Sequence, residues 1–182
     1  MADVATRTMP LRGVHGGSAA VRLTPAAPAE RASLRAASGD LAALSSALGL
    51  ELPVRPKTSV SAGGRTALWL GPDEWLVIDE GEGGLMAACA ASGALHSAVD
   101  VSHRNTAILV EGPGAASTIN AGCPLDLSTK AFPVGACTRT IFGKVEILLL
   151  RTGEEAFRVE VWRSFSEYAF GLLAEGATDA AL

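Results

Sequence analysis

The sequence predicts an α+β fold made of two intertwined halves. Residues 32–92 and residues 107–174 share the order strand, helix, loop, three strands, helix, with little residue identity between them. Such a repeat indicates two related α+β halves that share a core. The 182 residues are 48% hydrophobic and 19% charged, which is typical of a globular protein of one domain. We therefore expect one domain over residues 31–182, with a flexible N-terminal arm over residues 1–30.

The N-terminal arm is predicted from composition. Its prolines and glycines interrupt any periodicity, and the segment has no run of alternating apolar residues. A chain of this kind is extended or disordered unless it docks on a neighbour. The sequence leaves open whether the arm is inert or wraps a partner.

The first half of the repeat contains two helices and four strands, and a fifth strand follows it. Leu41, Leu44 and Leu48 fall on one helical face, and Gly49 ends that helix. Alternating and β-branched residues favour the strands. Pro72 suits the second position of a turn between two of them. In chain order we predict strand 33–36, helix 41–48, strands 58–61, 67–70 and 75–79, helix 85–91, and strand 97–101.

The second half repeats the pattern. Gly112, Pro113 and Gly114 form the turn into its first helix, and they lack the third glycine of a dinucleotide-binding fingerprint. Ser164 is a good N-cap for the last helix, with Glu167 at the capping-box position. In chain order we predict strand 107–111, helix 115–121, strands 137–142, 145–151 and 157–161, and helix 164–174.

Composition excludes several classes of function. The net charge of −4 and the scattered basic residues argue against nucleic-acid binding. The sequence lacks both a signal peptide and an apolar run of membrane-spanning length. Three cysteines at irregular spacing and three distant histidines match no zinc motif, which predicts buried free thiols in a reducing cytoplasm.

One dense polar cluster follows a predicted strand. It contains Asp100, Ser102, His103 and Arg104. His103 as an acid or base would need Asp100 to orient it, but alternation places Asp100 and His103 on opposite faces of a strand. A hydrolase would also need a nucleophile elbow, and the sequence has no Gly-x-Ser-x-Gly motif. We predict a hydrogen-bonding or interface role for this cluster.

The three tryptophans, Trp69, Trp75 and Trp162, allow two interpretations. They are able to stack on a pterin ring, but tryptophans in such positions more often fill a core or anchor an interface. Trp75 is predicted to be a core residue because its strand alternates regularly.

Four short segments, taken in order, resemble one family. They are Gly71-Pro72-Asp73-Glu74-Trp75, Val99-Asp100-Val101-Ser102-His103-Arg104, Cys123-Pro124-Leu125-Asp126-Leu127 and Arg163-Ser164-Phe165-Ser166-Glu167-Tyr168. Over residues 30–176 the chain resembles the gamma subunit of heterotetrameric sarcosine oxidases. That resemblance implies a fold similar to the folate-binding domain of aminomethyltransferases.

The same resemblance implies a noncatalytic cytoplasmic subunit. Its partners would be the alpha, beta and delta subunits of an enzyme that oxidatively demethylates sarcosine, or a related N-methyl amine, and transfers the one-carbon unit to tetrahydrofolate. FAD, FMN, NAD, tetrahydrofolate and zinc are expected in the partner subunits, and no cofactor or metal in this chain. The expected interface or structural residues are Trp75, Asp100, His103, Arg104, Asp126, Arg139 and Arg163.

An alternative function stays open on the same fold. The chain would then be a free-standing folate-dependent aminomethyltransferase-like protein or an iron-sulfur maturation protein. The maturation proteins carry a Lys-Gly-Cys-Tyr-x-Gly-Gln motif, whereas residues 134–139 around Cys137 have the glycine and cysteine without the lysine, tyrosine or glutamine. This departure argues against folate chemistry. A third interpretation is a binding domain without any oxidase partner.

Overall fold

The computed structural model describes residues 9–181, which form two β-sheets and four α-helices. The strands are β1 (Gly16–Gly17), β2 (Arg22–Pro25), β3 (Glu30–Ala36), β4 (Ser59–Ala62), β5 (Arg65–Gly71), β6 (Glu74–Asp79), β7 (His96–Asp100), β8 (Asn105–Glu111), β9 (Cys137–Phe142), β10 (Val145–Gly153) and β11 (Ala156–Trp162). The helices are α1 (Leu41–Leu48), α2 (Leu85–Ala91), α3 (Ala115–Asn120) and α4 (Ser166–Asp179). Short 3-10 turns at Ser38–Asp40 and Arg163–Phe165 precede α1 and α4.

The two sheets have the same topology. The five-stranded sheet has the order β4-β5-β6-β3-β7, and the six-stranded sheet has the order β1-β2-β8-β11-β10-β9. Read from the other edge, β9-β10-β11-β8 repeats β4-β5-β6-β3, so the predicted pseudo-repeat is present as a repeated sheet topology. Because β1 and β2 precede the first half yet join the second sheet, the first and last strands of the described residues lie in the same sheet. The predicted α+β fold of two intertwined halves is confirmed.

The predicted N-terminal arm differs from the structure in its second part. Residues 1–8 lie outside the described residues, but β2 pairs with β8, and Leu23 opposite Val110 is only 2% exposed. Two strands of two and four residues flanked by glycine and proline are too short to show alternation in the sequence. Gly17, the last residue of β1, leads into the turn toward β2 with φ of 125°. A Cβ atom at this position would lie 2.3 Å from the carbonyl oxygen of Val21.

Three apolar layers hold the molecule together. The first packs α1 and α2 on the five-stranded sheet, and Leu34, Leu44 and Trp75 are each fully buried in it. The second packs α3 and α4 on the six-stranded sheet, around Phe142 and Phe157. The third lies between the two sheets, and its buried residues are Ala29, Leu68, Leu76, Ile78, Val101, Cys137, Leu148 and Leu150. The order of layers is therefore helices, sheet, sheet, helices.

One pair of sheet edges is joined by backbone hydrogen bonds. The N–H of Ser59 at the start of β4 donates to the carbonyl of Gly135 (2.9 Å), and the N–H of Cys137 at the start of β9 donates to the carbonyl of Lys57 (3.0 Å). The two sheets are thereby held in register along this side.

The helix ends show where the sequence prediction succeeded and where it was wrong. Helix α1 has the predicted bounds, and Gly49 closes it in the left-handed conformation with φ of 68°. Helix α4 begins at Ser166, two residues later than predicted, and continues to Asp179. The predicted capping box at Ser164 does not form, since residues 163–165 make a 3-10 turn in which Ser166 Oγ donates to the carbonyl of Arg163 (2.8 Å).

Candidate interface site

An aromatic surface lies where β11 ends. The rings of Trp162 and Phe165 stack with centroids 6.0 Å apart and planes inclined by 20°. The guanidinium carbon of Arg104 lies 5.4 Å from the centroid of the Trp162 ring. Trp162 is 42% exposed and Phe165 is 40% exposed. We call these three residues the Trp162 surface.

Two turns hold the Trp162 surface in place. One joins β7 to β8 and carries Arg104; the other joins β11 to α4 and carries Arg163. The backbone N–H of Arg163 donates to the carbonyl of Arg104 (2.7 Å), and Arg104 Nε donates to the side-chain oxygen of Asn105 (3.3 Å). The structure thus brings together two of the residues that the sequence singled out, Arg104 and Arg163.

Arg139 lies beside this surface and links the two sheets. From β9 it donates to Glu74 on β6 (2.7 Å), and it lies 3.6 Å from Glu146 on β10. Glu74 also accepts from Arg35 (2.9 Å). Arg104, Arg139 and Trp162 line a common cavity of about 40 Å³. A water molecule needs about 10–15 Å³ of such space, so this cavity has room for a few waters and not for a pterin ring.

Asp100 shapes the turn between β7 and β8. Its carboxylate accepts hydrogen bonds from the backbone N–H (2.8 Å) and the hydroxyl (2.5 Å) of Ser102. Ser102 Oγ in turn accepts from the backbone N–H of Arg31 on β3 (2.9 Å). The side chain of His103 is exposed. The polar cluster therefore positions the turn that presents Arg104.

The two other predicted residues lie elsewhere. Trp75 is fully buried under α1 and α2, as predicted, and its indole N–H donates to the carbonyl of Pro53 (2.7 Å). Asp126 lies in the exposed loop between α3 and β9. It accepts from the backbone N–H of Ser128 (2.8 Å), and this hydrogen bond lowers the pKa of the Asp126 carboxyl. Asp126 has a turn-forming contact within its own loop.

A buried charge network is the main feature that sequence reasoning missed. Glu160 on β11 is 1% exposed and accepts from Arg31 Nε (2.7 Å) and Nη2 (3.1 Å). It also accepts from Arg158 Nε (2.8 Å), and Arg158 Nη1 donates to Glu80 (2.7 Å). The sequence signal was the alternation of Arg158 and Glu160 with apolar residues in β11. That pattern resembles a solvated face, but here the second sheet covers it.

Nucleophilic or metal chemistry would require an accessible thiol or a cluster of ligand side chains. Residues 9–181 contain no group of three or more His, Cys, Asp or Glu able to hold a metal ion. Cys89, Cys123 and Cys137 are all buried free thiols. Cys137 Sγ donates to the carbonyl of Thr58 (3.2 Å), and burial raises the pKa of its thiol to about 12. Because the thiolate is the reactive form, Cys137 is a poor nucleophile.

A family model for the gamma subunit of sarcosine oxidase matches residues 34–179. The chain belongs to the sarcosine oxidase gamma subunit family. It is 32% identical over 170 residues to the sarcosine oxidase subunit gamma of Corynebacterium sp. (strain U-96), covering 90% of this chain and 82% of the relative. It is 33% identical over 165 residues to the subunit gamma of an Arthrobacter species, covering 88% and 81%. The family predicted from the four short segments is confirmed.

Solved structures agree with the sequence relatives. A chain of the heterotetrameric sarcosine oxidase from Corynebacterium sp. U-96, in complex with pyrrole 2-carboxylate, superposes with a TM-score of 0.89 at 28% identity, covering 97% of both chains. Aminomethyltransferase T of the glycine cleavage system from Bartonella henselae superposes with a TM-score of 0.63 at 15% identity, covering 85% of this chain and 45% of that one. The second likeness concerns the fold alone and confirms the predicted similarity to aminomethyltransferases.

Proposed function

We propose that this chain is the gamma subunit of a heterotetrameric sarcosine oxidase and assembles with alpha, beta and delta subunits. The observation that carries the proposal is the match of 97% of the chain to a chain of that complex at a TM-score of 0.89. The complex would oxidise sarcosine, or a related N-methyl amine, and transfer the one-carbon unit to tetrahydrofolate. A permanent assembly of this kind buries upward of about 2,000 Å² at its interfaces.

The catalytic chemistry is assigned to the partner subunits. FAD, FMN, NAD, tetrahydrofolate and zinc would be held there, and this chain would supply no catalytic, cofactor or metal residue. One observation on the described residues supports this division: the thiol of Cys137 is buried and protonated. No helix among residues 9–181 combines the length and apolarity required to span a bilayer. We place the complex in the cytoplasm, without nucleic-acid or membrane partners.

The Trp162 surface is the proposed contact with a partner subunit. Tryptophan and arginine are the residues that most often dominate binding energy at interfaces, especially where they are clustered. Here a stacked Trp162 and Phe165 are presented with Arg104 over the indole ring, on turns fixed by backbone hydrogen bonds. Arg139, Arg163 and His103 border this surface and are assigned to the same interface. Asp100 supports it by holding the turn, whereas Trp75 and Asp126 are assigned structural roles in the core and in the α3–β9 loop.

Co-expression with candidate alpha, beta and delta subunits tests the assignment. Native mass spectrometry of the purified material, with and without this chain, should show a stoichiometric flavin-containing tetramer that fails to form without it. A monomer that retains tetrahydrofolate would overturn the assignment and favour the aminomethyltransferase-like alternative.

A double variant tests the surface. Trp162→Ala with Phe165→Ala should weaken assembly at least about tenfold, because truncation of interface hot spots costs about 2 kcal/mol or more. Both residues are about two-fifths exposed, so the fold of the isolated chain should change little. The matched control is Leu95→Ala, an apolar residue that is 83% exposed beside β7. If the control weakens assembly as much as the double variant, the Trp162 surface is not the contact.

A further inference from the structure

A second cavity between the sheets has a composition unlike the first. It has a volume of about 180 Å³ and shares no lining residue with the cavity beside Trp162. Two guanidinium groups, three hydroxyls and one carboxylate line it; they belong to Arg151, Arg158, Ser61, Thr66, Thr152 and Glu80. Hydroxyl and guanidinium groups are the side-chain donors that bind oxyanions.

Arg158 has hydrogen-bonding capacity left over. The residue is 5% exposed; its Nε donates to Glu160 (2.8 Å) and its Nη1 to Glu80 (2.7 Å). Its Nη2 is buried without a hydrogen-bond partner among the described residues. Buried N–H groups in native proteins are nearly always paired, so an unpaired one indicates an additional acceptor.

Arg151 adds a positive charge that carboxylates do not balance. It is 4% exposed, and it donates to the backbone carbonyls of Leu127 (2.9 Å), Phe132 (3.0 Å), Gly153 (3.1 Å) and Glu154. Within residues 9–181 it forms no salt bridge. The local balance is therefore three guanidinium groups, those of Arg31, Arg151 and Arg158, against two carboxylates, those of Glu80 and Glu160.

Glu80 is the adaptable member of the cavity. Its side chain is 51% exposed, whereas that of Arg158 is 6% exposed, so the carboxylate reaches inward from the solvent side. An entering anion of similar chemistry would compete with this carboxylate for Arg158. Rotation of Glu80 into solvent would also open the guanidinium edge that carries Nη1 and Nη2.

We propose that this cavity binds a small oxyanion of the carboxylate or phosphate class, and that Glu80 is its built-in competitor. The anion accepts from Arg158 after Glu80 rotates away. The hydroxyls of Ser61 and Thr66 bond to each other (2.9 Å), so this pair supplies one further donor and Thr152 supplies another. A water molecule needs about 10–15 Å³ of such space, so the cavity accommodates acetate or phosphate with part of its hydration. This inference does not depend on assembly with an oxidase.

Calorimetric titration of the full chain with inorganic phosphate and with acetate tests the site, with chloride at equal ionic strength as the baseline. We expect saturable binding of one anion per chain. Glu80→Gln should tighten it at least threefold because the competing carboxylate is removed. Arg158→Lys should weaken anion binding at least tenfold, because lysine keeps the charge facing Glu160 and Glu80 but has no group in place of the unpaired Nη2. A preference between the two probes identifies the class of anion.

Two further variants keep the test decisive. Thr66 lines the same cavity from an exposed hairpin, and Thr66→Val should weaken anion binding about threefold. This variant tests the site if circular dichroism shows that Arg158→Lys does not fold. Glu111→Gln removes an exposed carboxylate that pairs with Arg22 on another part of the molecule, and it should leave the affinity unchanged. The proposal is overturned if no saturable binding is seen above chloride, or if Glu80→Gln changes affinity no more than Glu111→Gln does.

Discussion

The outer and central layers of this protein are built differently. Each outer layer packs two helices on a sheet through aliphatic and aromatic side chains, such as Leu34 and Trp75 on one side and Phe157 on the other. The central layer, where sheet faces sheet, has leucine and isoleucine side by side with Arg31, Arg158 and Glu160. All three charged residues are 5% exposed or less. A buried position in this fold therefore holds either an apolar or a charged side chain, depending on the layer.

The comparison suggests different sources of stability in the layers. Apolar layers gain from removal of area from water and from close packing. A buried ion network must instead offset the cost of removing its charges from water, and it does so only when its hydrogen bonds are complete. Removing one member should therefore be costly, whereas replacing the whole network by apolar residues should be tolerated.

The largest effect is expected from Glu160→Gln. The variant leaves Arg31 and Arg158 buried without their shared carboxylate, which should lower the free energy of unfolding by about 3–5 kcal/mol. Urea unfolding at pH 7 measures this. The control is Glu111→Gln at the exposed pair with Arg22, where a change below about 1 kcal/mol is expected.

A triple variant sharpens the comparison. Changing Arg31, Arg158 and Glu160 all to Met converts the central layer to the apolar design of the outer layers. Because whole buried ion networks are often replaceable, most of the stability lost in Glu160→Gln should return. A triple variant that is less stable than Glu160→Gln would show that the network stabilises the fold beyond satisfying its own charges.

An intermediate effect is expected from Trp75→Phe in an outer layer. The change leaves the carbonyl of Pro53 without its indole donor and removes part of a fully buried side chain. The free energy of unfolding should fall by about 1–3 kcal/mol. Thermal and urea unfolding check this, with Trp69→Phe at the opposite position of the hairpin as the control, since Trp69 is only partly buried.

The smallest effect concerns Asp79 at the end of β6. Desolvation raises the pKa of its carboxyl, but the hydrogen bond and charge of Arg65 and the N–H of Gly81 outweigh it, so the pKa is lowered from 3.8. A lowered pKa in the folded state stabilises the protein above the unfolded value, and this stability is lost as the pH falls through the folded value.

Asp79→Asn should therefore destabilise the protein at pH 7 by about 1.5 kcal/mol, the contribution of a hydrogen bond to a charged group. The difference from the natural chain should shrink on acidification below pH 3.8. Urea unfolding of the variant and the natural chain at pH 7 and at a pH below 3.8 measures this difference. A difference that is constant between the two pH values would contradict the role given to the Asp79 charge.

Local patterns predicted most of the secondary structure. Leucine spacing and Gly49 predict helix α1 with its observed bounds, and the predicted strand 137–142 coincides with β9. The wrong predictions have local causes: β1 and β2 are too short to show a period, and residues 163–165 form a 3-10 turn where the sequence predicts an N-cap at Ser164. For the site, the sequence indicated Arg104, Arg139 and Arg163 but not their neighbourhood around Trp162.

Local periodicity and ordered motifs are enough to predict the elements from β3 to α4, the pseudo-repeat, the family and the burial of Trp75. The contact of Arg31 and Arg158 with Glu160 between the two sheets is visible only in the folded structure. The physical reason is that alternation in a strand separates two faces without saying what covers each. A strand face that carries charged residues is solvated in one fold and buried in ion pairs in another. Here the second sheet covers that face, so its charged residues pair with one another.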